Sequence, residues 1–162
     1  MAVKNPLRQF VDKVNQYPGW LSRFLMTSVF RHKVKLAGTA KVEILRTDGK
    51  SVTFLQRNRR KVQNHIGTVH AAAMALLAES ASGFIVGINL PGDKLPLIKT
   101  MNLNYVKRCQ DDITVEASLS EEQIALMQQE PKGEVNVKVT ITDGVGIVPL
   151  EAEMIWAWVP KN

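Results

Sequence analysis

The sequence predicts an α+β domain in which a curved antiparallel sheet wraps one long central helix, with a helical extension ahead of it. Three observations carry this. Ile66 to Leu90 is an apolar stretch with no Lys or Arg and a single acid, Glu79. Four segments after it alternate apolar and polar residues, the signature of strands with one covered face. A further alternating pair, joined by a turn signal, precedes it. A helix apolar on all sides must be buried, and a sheet folded around it would bury it.

The elements follow in order. Asn5 and Pro6 read as an N-cap and a first-turn proline, with Leu7, Phe10, Val11 and Val14 at helical spacing. Pro18 restarts the pattern, and Trp20, Leu21, Phe24, Leu25 and Ser28 fall on one face. These two amphipathic helices, with Arg8, Lys13, Arg23, Arg31 and Lys33, either cover a sheet edge or contact a membrane surface or cofactor. Ala40, Val42 and Ile44 begin a strand, Asp48 and Gly49 turn it, and Val52 and Phe54 return. A loop from Arg57 leads to the apolar helix, with Thr68 as its expected N-cap. Leu97 to Val106 reads as a long, largely covered strand. Ile113 to Leu119 is the next. Ser120 to Glu130 reads as a helix with a capping box from Ser120 to Gln123, stopped by Pro131. Val135 to Ile141 and Leu150 to Trp158 complete the strands. Consecutive strands without crossovers pair antiparallel. The expected organisation is an N-terminal helical extension over residues 1–36 and a wrapped-helix domain over 37–162.

Composition narrows the classes. At 162 residues with 45% hydrophobic content, the chain builds one core. Cys109 is the single cysteine and excludes an intrachain disulfide, which fits a reducing compartment. The N-terminus has no continuous apolar segment of the secretory type, so a cytoplasmic location is expected. Residues 1–70 carry 14 Lys and Arg against 3 Asp and Glu, which gives the first half a charge of +11. That half suggests an anionic partner. For most of these cations the reading is a solvated surface; the run Arg57, Arg59, Arg60 and Lys61 is the dense exception. A membrane span is weighed against: an acid at its centre costs about 2.5–3.5 kcal/mol. Stable membrane insertion is therefore not expected. No nucleic-acid partner is expected either, since few aromatics interleave the basic half.

Glu79 is the chemical focus. An ionised carboxylate in an apolar setting is costly unless it is partnered or its pKa shifts. It is either a catalytic group or an acid paired for structure. The three histidines (His32, His65 and His70) lack the spacing and companions of a metal site, and none is expected.

The run from Asn64 through Gly67 and His70 to Ala72, followed by Leu77, Ala78 and Glu79 and then Ala81, Ser82 and Gly83, resembles the hotdog-fold acyl-CoA thioesterases. It is closest to their phenylacetate-degradation branch and to uncharacterised domains related to it. That family pattern places Asn, Gly and His at three-residue steps, then two glycines, then a helical acid eight residues after the first glycine. Here Ala71 and Ala72 replace the glycines, and Glu79 stands eight residues after Ala71. The resemblance implies that Glu79 is nucleophile or general base, that the Ala71 N–H polarises the thioester carbonyl, that Asn64 holds the water or carbonyl, and that His70 shapes the loop and assists. It also implies substrate contacts from Gly67, Thr68 and Gly83. Some relatives carry a hydroxyl one turn after the acid, where Gly83 offers none.

Coenzyme A would enter as part of the substrate, with no separate cofactor. Its phosphates could be received by Arg57, Arg59, Arg60, Lys61, Lys107 and Arg108; equally, these cations could guard a sheet edge. Helix geometry adds a constraint. Eight residues span about 12 Å and end on a different face, so one chain cannot bring Ala71 and Glu79 to the same carbonyl. A working site then requires a homodimer, or a dimer of dimers. Two other readings stand beside the thioesterase. One is an acyl-CoA or fatty-acyl binder without catalysis, kept open by Ala71 and Ala72. The other is a hotdog dehydratase, in which His65 and Glu79 do acid–base work.

Overall fold

The computed structural model describes residues 3–161. Helix α1 spans Pro6–Val14. Asn5 caps it as expected, its side chain accepting from the Leu7 and Arg8 N–H groups. The same amide donates to the Gly87 and Leu90 carbonyls, so one residue opens α1 and closes the end of the central helix.

Helix α2 spans Gly19–Lys33, and it is turned the other way from the expected face. Trp20 and Phe24 are 73% and 62% exposed, while Ser22, Met26 and Thr27 are buried. The reason is polar: the Thr27 hydroxyl accepts from the Ile44 N–H and donates to its carbonyl, which docks that side of α2 on the first strand. A short helix α3, Lys35–Ala40, follows and straddles residue 36. Ala40 ends this helix instead of starting a strand. Lys41 then reverses the chain in the left-handed region, φ 60°.

Strands β1 (Glu43–Thr47) and β2 (Ser51–Gln56) form the expected hairpin, with Gly49 at φ 89° in its turn. The central helix α4 spans Ala71–Asn89. Then come β3 (Lys94–Tyr105), β4 (Ile113–Ser118), helix α5 (Glu121–Gln129), β5 (Gly133–Asp143) and β6 (Leu150–Pro160). The capping box at Ser120 and Gln123 is formed. All pairings are antiparallel, in the order β1-β2-β4-β5-β6-β3. The sheet curves around α4, whose length and apolarity would suffice to cross a membrane but which here forms the core. Leu77, Ala78, Ala81, Ile85 and Val86 are fully buried.

Two expectations fail in an informative way. Strand β3 is an edge strand and largely exposed, because the chain folds it outside β6 with no strand beyond it. Helix α4 is not covered all round: Ala72, Ala75, Leu76, Glu79, Gly83 and Gly87 form a stripe that the chain's own sheet leaves partly open.

Gly83 permits a close approach. A Cβ there would sit 2.6 Å from the Trp156 ring, and Trp156 is buried with its indole N–H donated to Ser82 Oγ at 2.9 Å. Gly83→Ala is therefore expected to destabilise the protein by about 1–3 kcal/mol through overpacking, read as a lower urea midpoint with an unchanged m-value.

Candidate functional site

The loop before α4 is built by Asn64. Its Oδ1 accepts from the Ile66 and Thr68 N–H groups and its Nδ2 donates to Thr68 Oγ1. Both acceptor lone pairs are occupied, and one amide proton is left over for a ligand. Gly67 takes φ 78° at the turn, and its carbonyl accepts from Asn58. Thr68 is not the helix cap; it serves the Asn64 loop. His70 is the cap, with Nδ1 accepting from the Ala72 N–H at 3.0 Å. That bond requires an unprotonated Nδ1. With Ala72 so engaged, the Ala71 N–H has no acceptor among the described residues, and both alanines are exposed. The start of α4 therefore presents one free donor, reinforced by the positive end of the helix dipole.

Glu79 stands two turns further on, half-buried on the open stripe. It has no ion-pair partner among the described residues. Burial raises its carboxyl pKa; the nearby Ser80 hydroxyl pulls weakly the other way. Ser80 Oγ is itself buried and makes no hydrogen bond of proper geometry.

Glu79 also lies on the wall of a cavity of about 550 Å³ between α4 and the N-terminal helices. Leu7 and Phe10 of α1, Phe30 of α2, and Phe84 and Trp156 line it, with Glu79 as its only acid and Lys33 as its only cation among the described residues. The spacing of Leu7 and Phe10 marks an apolar face, but nothing local says what that face encloses. The end of β3 brings the Tyr105 hydroxyl to the Ala71 carbonyl at 2.7 Å, a contact set by strand register.

The basic run divides. Arg57 and Arg59, together with Arg23, converge on Glu43 at 2.8, 3.4 and 2.6 Å. Burial would push the Glu43 carboxyl up, but hydrogen bonds and charge from Arg23 and Arg57 hold it below its ordinary range. These cations therefore brace β1 against α2 and the loop. Arg60 and Lys61 have no acidic partner among the described residues, and they border a cleft of about 330 Å³ with Lys41 and Arg59. A carboxyl depressed in the folded state stabilises above its unfolded pKa and loses that contribution as pH falls through the native value. Glu43→Ala is expected to cost about 1–3 kcal/mol at neutral pH and less in acid, measured by urea unfolding at several pH values. No group of three metal-ligating side chains occurs among the described residues.

An antiparallel sheet in the order found, curved around one long helix, is the hotdog fold. The chain belongs to the family described as a domain of unknown function, DUF4442, which matches residues 23–159. Among solved structures it is similar to a Pseudomonas aeruginosa protein of unknown function, PA5026, described as a probable thioesterase. That pair is 23% identical with a TM-score of 0.77, over 85% of this chain and 95% of that one. It is also similar to the Haemophilus influenzae thioesterase HI1161 (12% identity, TM-score 0.64, 77% and 82% covered). A variant of the Staphylococcus aureus thioesterase SAV0944 matches at 18% identity and TM-score 0.65, with 78% and 99% covered. At these identities the likeness is one of fold. No protein of curated function matches the sequence.

Proposed function

We propose that the protein hydrolyses acyl thioesters, acyl-CoA being the expected form, with Glu79 activating water or attacking directly. The observation that carries this reading is the placement of Glu79: the one acid on an apolar cavity, unpartnered, with its carboxyl raised by burial. A base poised above the ordinary carboxylate range is better matched to neutral-pH proton transfer. Three of the similar structures carry the name thioesterase, which supports the same reading.

The complementary electrophilic group is the free Ala71 N–H. Within one chain it is about 12 Å along α4 from Glu79. In the proposed dimer the partner's copy of that helix start lies beside Glu79. Attack by the activated water on the polarised carbonyl forms a tetrahedral oxyanion, held by that N–H; its collapse expels the thiolate, which takes up a proton. Edge strand β3 supports the dimer. Met101, Leu103 and Tyr105 pair with Met154, Ala152 and Leu150 and so face the same side as the core. Even so, Met101 and Tyr105 remain 37% and 44% exposed, and the Tyr105 hydroxyl reaches the start of α4. Arg60 and Lys61, with Lys107 and Arg108 beyond β3, are the cations proposed for the coenzyme A phosphates.

The second reading, an acyl binder without turnover, draws on the Ala71 and Ala72 methyl groups at the helix start. The two are separated by measuring thiol release from a panel of short, long and aromatic acyl-CoAs. Turnover by the wild-type protein that is lost in Glu79→Gln supports hydrolysis. Tight acyl-CoA binding with no thiol released on any member overturns it.

A further inference from the structure

The geometry points to a site for one long aliphatic acyl chain, held within a single protomer in the partly open cavity between α4 and the N-terminal helices α1 and α2. It rests on the thioesterase reading for the identity of the head group, and it adds the substrate class. Glu79, Gly83 and Gly87 recur at four-residue steps on the open stripe, and all three line the cavity. At about 6 Å per step these positions span some 12 Å from the acid; the Trp156 ring packs into the space beside Gly83 and forms the wall there, while Gly87 adds no side chain to the cavity. Leu7 closes its far end: a Cβ at Gly87 would touch Leu7 Cδ2 at 3.6 Å. Phe10 and Val29 roof it from α1 and α2.

The polar groups mark the orientation. Glu79 and the buried Ser80 hydroxyl adjoin at one end of this run, Lys33 at the end of α2 is the other polar side chain of the wall, and Gly87 and Leu7 add only apolar surface. A thioester head therefore belongs beside Glu79, with its tail running towards Leu7. Size selects the chain. A dry cavity of about 150 Å³ suffices for benzene, so this chamber is far larger than an aromatic acyl group needs. At the same packing its 550 Å³ holds a ceiling of roughly twenty carbons. An acyl group of about twelve to sixteen carbons fits within that ceiling, bent inside the cavity because its full length exceeds the about 12 Å between Glu79 and Gly87.

The test is a chain-length profile of kcat/KM on saturated acyl-CoAs from butyryl to stearoyl and on phenylacetyl-CoA. It is run for the wild type, Gly87→Leu and Val29→Trp, which fill the chamber from opposite walls. Circular dichroism confirms that each variant folds. Binding of a fluorescent long-chain fatty acid is measured in parallel, with Glu79→Gln included. The wild type is expected to prefer about twelve to sixteen carbons. Either filling variant is expected to lower the palmitoyl-to-butyryl ratio roughly tenfold, as two or more methylenes lose apolar contact. A preference for acetyl or phenylacetyl groups, or an unchanged ratio in both folded variants, overturns the chamber. Should no acyl-CoA be hydrolysed while the probe binds wild type and Glu79→Gln and is lost from the filled variants, the chamber stands and the hydrolytic reading falls. Hydrolysis with no probe binding and no change of ratio has the opposite meaning.

Discussion

Glu79→Gln is expected to lower kcat/KM for thioester hydrolysis by about 10²–10⁴-fold while leaving the protein at least as heat-stable as the wild type. The two effects have one cause. Glutamine keeps the shape of the side chain but cannot take a proton from water. Burial raises the Glu79 carboxyl, so the native state holds this proton more firmly than the unfolded chain does. The stability contributed by that proton is complete below the unfolded pKa and is lost as pH rises through the native one. Gln never ionises, so the difference in Tm between variant and wild type should grow from acid to alkaline pH. Activity runs the other way: only the ionised base works, so the acid limb of the wild-type pH–rate profile should lie above the ordinary carboxylate range. Retention of full turnover by the Gln variant would place water activation elsewhere. A Gln variant that unfolds earlier than the wild type would mean that Glu79 has a structural partner instead.

What the sequence disclosed depended on the range of the forces involved. The capping box at Ser120 and Gln123, the Asn5 cap and the turn at Asp48 and Gly49 are decided by neighbours a few residues away, and each stands as read. Alternation in β4, β5 and β6 reports a burial that those strands share, and it was equally legible. Helix α2 was not, because its aromatic residues mimic a buried face while the Thr27 hydroxyl, bonded to Ile44 seventeen residues later, decides the docking. Arg57 and Arg59 read as a phosphate cradle within their own run, yet Glu43 lies across the hairpin and claims both. For the site, the helical position of Glu79 and its lack of a neighbouring cation were visible in the apolar stretch. The chamber beside it was not, since it needs α1, α2 and α4 placed together. Strand β3 shows the same limit from another side: its apolar inner row reads as covered, and within one chain α4 leaves Met101 and Tyr105 partly exposed.

That partly exposed row yields the second large effect. Met101→Arg is expected to give a folded monomer with kcat/KM reduced by about 10²–10³-fold. This is the usual loss when one donor to the developing oxyanion is removed. Met101 lies opposite the buried Met154 and so points to the core side, yet it is 37% exposed because β3 is the sheet edge. In the monomer an arginine there keeps its charge in water and costs little. At a subunit interface built on β3 and the exposed start of α4, the same charge would be buried without a partner. Separated protomers would keep Glu79 and the acyl chamber, but the Ala71 N–H within reach would be lost. Light scattering should therefore report a single chain, far-ultraviolet circular dichroism should be unchanged, and long-chain fatty-acid binding should persist while hydrolysis falls. A monomeric Met101→Arg protein with wild-type turnover would show that one chain completes the site. The carbonyl would then have to be polarised by a group close to Glu79, and the Ser80 hydroxyl, buried and without a partner, is the group in position to do so.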